Sequence, residues 1–92
     1  MSLEGKVYAI TGGARGIGFY TAKMLAERGA TVCVADVKPD ELKKTGEYLA
    51  SVNAKHSVTK VDVSKRAEVD AWIEGVVKEF GRLDGRCGRR GD

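Results

Sequence analysis

An apolar run, Val7-Tyr8-Ala9-Ile10, passes directly into Thr11-Gly12-Gly13-Ala14-Arg15-Gly16-Ile17-Gly18, and a helical pattern begins immediately behind it. A strand that feeds a glycine-rich turn opening a helix leaves few folds available. Gly12 lets the chain leave the strand tightly, because glycine enters positive φ without steric cost. Gly16, with no Cβ, lets the backbone come within contact distance of an anionic group, and Gly18 lets the helix lie close against the strand. The helix start then aims unpaired N–H groups and the positive end of its dipole at that group. The expected unit is a βαβ segment that cradles a diphosphate.

A second apolar run, Ala30-Thr31-Val32-Cys33-Val34-Ala35, closes on Asp36. It reads as a central parallel strand covered on both faces. A carboxylate at its end can accept both hydroxyls of an adenosine ribose and repels a 2′-phosphate, so NAD is favoured over NADP. Arg15 and Lys38 are the two nearby cations that would neutralise such a phosphate. The competing assignment for Asp36 is a solvated cap on the next helix.

Along the chain the expected order is strand, helix, strand, helix, strand, helix. The first strand covers about Lys6 to Ile10. The first helix runs from near Arg15 to Arg28 with Gly29 as a left-handed stop, turning Ile17, Tyr20, Thr21, Met24 and Leu25 to the sheet. The second helix begins near Pro39, whose fixed φ suits a first turn, and carries Leu42, Leu49 and Val52. The third strand is about Lys55 to Val61, with Val58 and Val61 in the core. The third helix starts at Ser64 as N-cap, with Glu68 close behind, and its apolar positions are Val69, Trp72, Ile73, Val76, Val77 and Phe80. Right-handed crossovers make this a three-stranded parallel sheet in order 3-2-1, the first two helices on one face. Strand one is then an exposed edge, open to self-association.

Composition narrows the function classes. A chain of 92 residues fits one small domain, able to bury only about 60 to 65% of its unfolded surface. Lys and Arg total 16 against 13 Asp and Glu, a formal +3. Three arginines fall in residues 85–92, so the body is near neutral and offers no basic face for nucleic acid. No run is long enough to span a bilayer and no charged-then-apolar leader opens the chain, so a cytoplasmic location without membrane contact is expected. Cys33 and Cys87 have no metal-ligand company, the one histidine being His56, and no metal site is expected. His56 itself reads as a partly exposed strand residue.

Taken together, the glycine turn from Thr11 to Gly18, the strand ending in Asp36, the Asp62-Val63 pair behind a third strand, and Phe80-Gly81-Arg82-Leu83-Asp84-Gly85 resemble the N-terminal part of a classical short-chain dehydrogenase/reductase, over roughly residues 3 to 85. That resemblance implies a partial Rossmann fold, α/β, with the third helix on the face opposite the first two, and a dinucleotide as the partner. It implies that Gly12, Arg15, Gly16, Ile17 and Gly18 line the pyrophosphate, that Thr11 steadies the turn through its hydroxyl, that Asp36 holds the adenosine ribose, and that Asp62 with Val63 edges the adenine ring.

Behind Gly85 the sequence departs from the family. A fourth buried strand running into Asn-Asn-Ala-Gly, and later a catalytic Ser and a Tyr four residues before a Lys, are the family's pattern. Here the residues are Arg86-Cys87-Gly88-Arg89-Arg90-Gly91-Asp92, and no tyrosine has a lysine at that spacing. Hydride transfer to a carbonyl needs an acid that protonates the developing alkoxide, so no catalytic residue is assigned. The expected organisation is a partial dinucleotide-binding domain over residues 1–85 and a disordered Gly/Arg-rich tail over 86–92. The expected function is the cofactor-binding part of an NAD(P)-dependent oxidoreductase acting on an alcohol or ketone, binding the dinucleotide weakly and not catalysing alone. The alternatives are a non-catalytic module for NAD or another adenine nucleotide, or an unstable truncated product.

Overall fold

Strands β1 (Val7–Thr11) and β2 (Thr31–Asp36) pair in parallel, with Val7 opposite Thr31 and Thr11 opposite Ala35. All six residues of β2 are buried, as a parallel strand covered on both faces requires. The computed structural model describes residues 2–12, 16–62 and 64–87; Arg15 and Val63, two of the expected site residues, lie outside them. The element order is β1, α1 (Gly16–Glu27), β2, α2 (Pro39–Ser51), β3 (His56–Lys60), α3 (Arg66–Phe80) and β4 (Gly85–Cys87).

The sheet has four parallel strands in the order β3-β2-β1-β4, not three. Tyr8, Ala9 and Ile10 of β1 face Gly85, Arg86 and Cys87. Strand β1 is therefore interior, and the exposed edge expected there is covered; β3 and β4 are the outer strands among the described residues. Two of the three β4 residues, Arg86 and Cys87, come from the stretch read as a tail. A three-residue strand held by backbone bonds carries almost no side-chain signal. Its close fit is paid for at Gly85, where a Cβ would stand 2.8 Å from Cδ1 and Cε1 of Tyr8.

Alternation of side chains along each strand divides the core in two. Ile10, Val32 and Val34 meet Ala22, Leu25 and Ala26 of α1 and Leu42 and Leu49 of α2. Val7, Ala9, Cys33, Ala35 and Val61 meet Val69, Trp72 and Val76 of α3 on the opposite face. The expected distribution of helices, two on one face and one on the other, is thus the observed one. Phe19 and Tyr48 meet edge to face, ring centroids 5.7 Å apart, where α1 passes α2. Pro39 opens α2 as expected, followed by Asp40 and Glu41 in the first turn, where negative charge suits the dipole.

Four side chains depart from the expected burial. Tyr20 is 66% exposed, because α1 turns small Ala22 and Ala26 with Leu25 to the sheet and so packs close to it. Val58 is 38% exposed, since β3 is an outer strand with only part of its surface covered. Val52 and Val77, at the C-cap of α2 and on the outer side of α3, are exposed as well. Ser64 is not the N-cap of α3: Lys65 is, and its side chain makes no capping bond.

Candidate functional site

The carboxyl ends of the parallel strands are stitched to one another. The Gly12 amide donates to the Ala35 carbonyl at 2.8 Å, and the Val61 amide donates to the Asp36 carbonyl at 2.9 Å. Thr11, the last residue of β1, is buried. Gly12 has φ +67, the left-handed conformation that the tight exit from a strand demands and that most side chains resist. The chain then enters α1 at Gly16, so Gly16, Ile17 and Gly18 form its first turn, whose N–H groups have no partners within the helix. The Gly12 amide is already committed to the sheet; among the described residues beyond it, the amides without helical partners are those that open α1.

Asp36 is the last residue of β2 and only 5% exposed. Its Oδ1 accepts from the amides of Val37, at 2.6 Å, and Lys38, at 3.3 Å. The side chain is therefore folded back over its own turn and fixed before any ligand arrives. It does not cap α2 in the strict sense, because the N-cap is Lys38. Val37, beside it, is exposed.

Asp62 follows β3 at the same end of the sheet. Its Oδ1 accepts from both the amide of Ser64, at 3.0 Å, and the Ser64 hydroxyl, at 2.6 Å. Its own amide donates to Glu68 Oε1 at 3.2 Å. The two Ser64 bonds hold the Asp62 carboxyl below the usual carboxylate range. Ser64 and Glu68 were assigned to a helix cap by sequence, whereas both turn back onto Asp62. The signal was the spacing: a capping box joins positions three apart, and Glu68 stands four from Ser64 but three from Lys65.

The strand order supplies the place for a ligand. From β1 the chain proceeds through α1 to β2, on one face, and it returns from β3 through α3 to β4 on the other side of β1. The connections diverge between β1 and β4, and in open α/β sheets ligands occupy the crevice at the carboxyl ends of the strands where such a divergence occurs. Gly12 and the start of α1 lie at that point; Asp36 and Asp62 follow at the ends of the next two strands. A chain so built can present amides to a diphosphate and carboxylates to hydroxyl or amino donors. Among the described residues no group of three or more His, Cys, Asp or Glu is arranged to hold a metal ion, and no helix is long and apolar enough to cross a membrane.

Comparison with known proteins agrees with this architecture. The chain matches the short chain dehydrogenase family over residues 6–85 and belongs to it. It is 56% identical over 86 residues to the short-chain dehydrogenase/reductase ABA4 of Pyricularia oryzae, an alignment covering 92% of this chain and 32% of that protein. A structure of NAD+-bound xylitol dehydrogenase superposes with a TM-score of 0.88 at 28% identity, over 94% of this chain and 33% of that one. The NADPH-dependent 3-quinuclidinone reductase of Rhodotorula rubra superposes with a TM-score of 0.83 at 37% identity, over 92% and 32%. The chain thus spans about a third of the length of the curated relatives it matches.

Proposed function

We propose that this chain forms the cofactor-binding part of an NAD(P)-dependent oxidoreductase acting on an alcohol or ketone, with NAD preferred to NADP. In this reading the first turn of α1, with Arg15 and Ile17, lies along the pyrophosphate, and Thr11 steadies the turn. Asp36 accepts the adenosine ribose hydroxyls, and Asp62 with Val63 edges the adenine. The observation that carries it is the fixed carboxylate of Asp36 at the end of β2, next to the strand that runs into the glycine turn. A buried, acceptor-only group suits a diol and opposes a phosphate. The relatives supply both precedents, one structure being NAD+-bound and another enzyme NADPH-dependent, so the preference rests on Asp36. Binding without catalysis is the expected behaviour of these residues, since none of them is an acid placed to protonate an alkoxide.

Calorimetric titration of the folded chain with NAD, NADP and AMP tests the proposal. Heat with NAD and AMP, and weaker binding of NADP, supports it. Tighter binding of NADP reverses the cofactor preference, and no heat with any of the three removes the dinucleotide reading.

A further inference from the structure

We infer that the cleft between β3 and α3 is a binding site for a small amino alcohol, whose ammonium group sits against Glu79 and whose oxygen accepts from the Trp72 indole N–H. The inference does not depend on the dinucleotide reading.

Two periodicities meet in this cleft. Trp72, Gly75, Val76 and Glu79 stand three and four residues apart along α3 and share one stripe of the helix, while Ser57 and Thr59, two apart in β3, share one face of the strand. Together they line an open cleft of about 280 Å³. Strand β3 is an outer strand among the described residues, which leaves this side of the cleft to solvent. Helix α3 runs from the carboxyl end of β3 back to the amino end of β4, so Glu79, in its last turn, lies at the end of the sheet opposite Gly12, Asp36 and Asp62. The cleft is therefore separate from the crevice proposed for the dinucleotide.

Two of its polar groups are unmet. Trp72 is 8% exposed, and its Nε1 has no hydrogen-bond partner among the described residues. A buried donor left without an acceptor is costly, and a ligand oxygen removes that cost. Glu79 makes no ion pair or hydrogen bond with another described residue. Burial pushes the Cys33 thiol up and the Glu79 charge adds to that, against the Ser57 hydroxyl bond. Cys33 pairs with Ser57 in the sheet, so the carboxylate stands on the strand side of α3.

A carboxylate offers acceptors only, and an indole N–H is a donor only. The ligand that satisfies both carries a donor cation and an acceptor oxygen. Between them Val76, Gly75 and the Trp72 ring present an apolar wall, and Ser57 and Thr59 bring hydroxyls that donate or accept. A short alkyl chain joining an ammonium to a hydroxyl matches this arrangement. An anion meets the Glu79 charge, and a hydrocarbon leaves both polar groups unmet.

Trp72 is the single tryptophan, so its indole N–H gives a cross-peak of its own in a nitrogen-proton NMR spectrum. The full chain is titrated with aminohexanol, with hexylamine, which lacks the hydroxyl, and with hexanediol, which lacks the ammonium. Aminohexanol is expected to move the indole proton downfield and to bind about fivefold more tightly than either analogue, the scale of one hydrogen bond exchanged with water. Glu79→Gln should lower its affinity to about that of hexanediol. Gly75→Leu, whose Cβ enters open space, should fill the cleft and remove the response. Both substitutions fall at exposed positions of α3, and unmoved β2 cross-peaks verify that the variants fold. An indole proton that aminohexanol leaves unmoved overturns the site, and a response that persists in Gly75→Leu overturns its location. Hexylamine binding as tightly as aminohexanol overturns the role of the indole N–H, and an affinity untouched by Glu79→Gln overturns the ammonium seat.

Discussion

Asp84 holds Val7 by both of its backbone groups. The Val7 amide donates to Asp84 Oδ2 at 2.7 Å, and the Asp84 amide donates to the Val7 carbonyl at 2.8 Å. Arg82 grips the same carboxylate through two bonds, Nε to Oδ2 at 2.9 Å and an η nitrogen to Oδ1 at 2.7 Å. The segment leading into β4 is thus fastened to the first residue of β1 before the ladder between the two strands begins.

Replacing Asp84 by Ala should lower the urea midpoint and loosen β4 from β1, seen as faster amide exchange at residues 8–10 and 85–87. The carboxyl lies below its ordinary value because of the Arg82 and Val7 bonds. Its contribution to stability is therefore present above about pH 4, the ordinary aspartate value, and is lost as the pH falls through the depressed folded value. Asp62, depressed by Ser64, acts in the same direction. Urea titrations between pH 2 and 6 should show a shallower acid limb in Asp84→Ala than in the wild type. Superimposable limbs would remove Asp84 as a source of the acid sensitivity.

Two glycines should respond to alanine with opposite signs. Gly75 sits inside α3, and a Cβ there meets nothing within 4 Å, so Gly75→Ala should stabilise the fold by about 0.5–1 kcal/mol through helix propensity. Gly85→Ala drives a methyl group into the Tyr8 ring and should cost about 1–3 kcal/mol. Denaturant melts of the two variants read the difference directly.

Cys33 should resist thiol reagents in the native protein. It is wholly buried in β2, and burial pushes its thiol up from its ordinary value, which keeps the reactive thiolate scarce. In a Cys87→Ser background, labelling should proceed only as denaturant opens the sheet. Rapid labelling in buffer would show that the face under α3 opens far more readily than its packing implies.

Asp36→Ala should raise NADP affinity relative to NAD by about tenfold, the scale of one like-charge contact near a protein surface. Competitive titration of the two cofactors measures that ratio. A ratio unmoved by the substitution would transfer the preference to other residues of the site.

The sequence carried the fold wherever side chains decide the outcome. Pro39 marks the start of α2, Asp36 the end of β2, and the handedness of the crossovers puts α1 and α2 on one face. Strand β4 was illegible because its bonds are main-chain and its residues, Gly85, Arg86 and Cys87, have little strand character. Helical spacing misled the phase of α1: it turns Tyr20 to the sheet together with Thr21, Met24 and Leu25, whereas close packing selects Ala22 and Ala26 beside Leu25. At the site, the carboxylates Asp36 and Asp62 were legible from their positions behind strands. The tethers on Asp62 were not, because Ser64 and Glu68 fit a helix cap nearly as well, and only the positions of their side chains separate the two roles.

Trp72 is the one tryptophan of the chain, and it lies 8% exposed between α3 and the sheet, its indole Nε1 with no partner among the described residues. The molecule consequently contains its own optical gauge. Emission from a single buried indole shifts to the red as soon as α3 lifts away, so fluorescence alone can time the undocking of that layer, free of signals from the helices across the sheet.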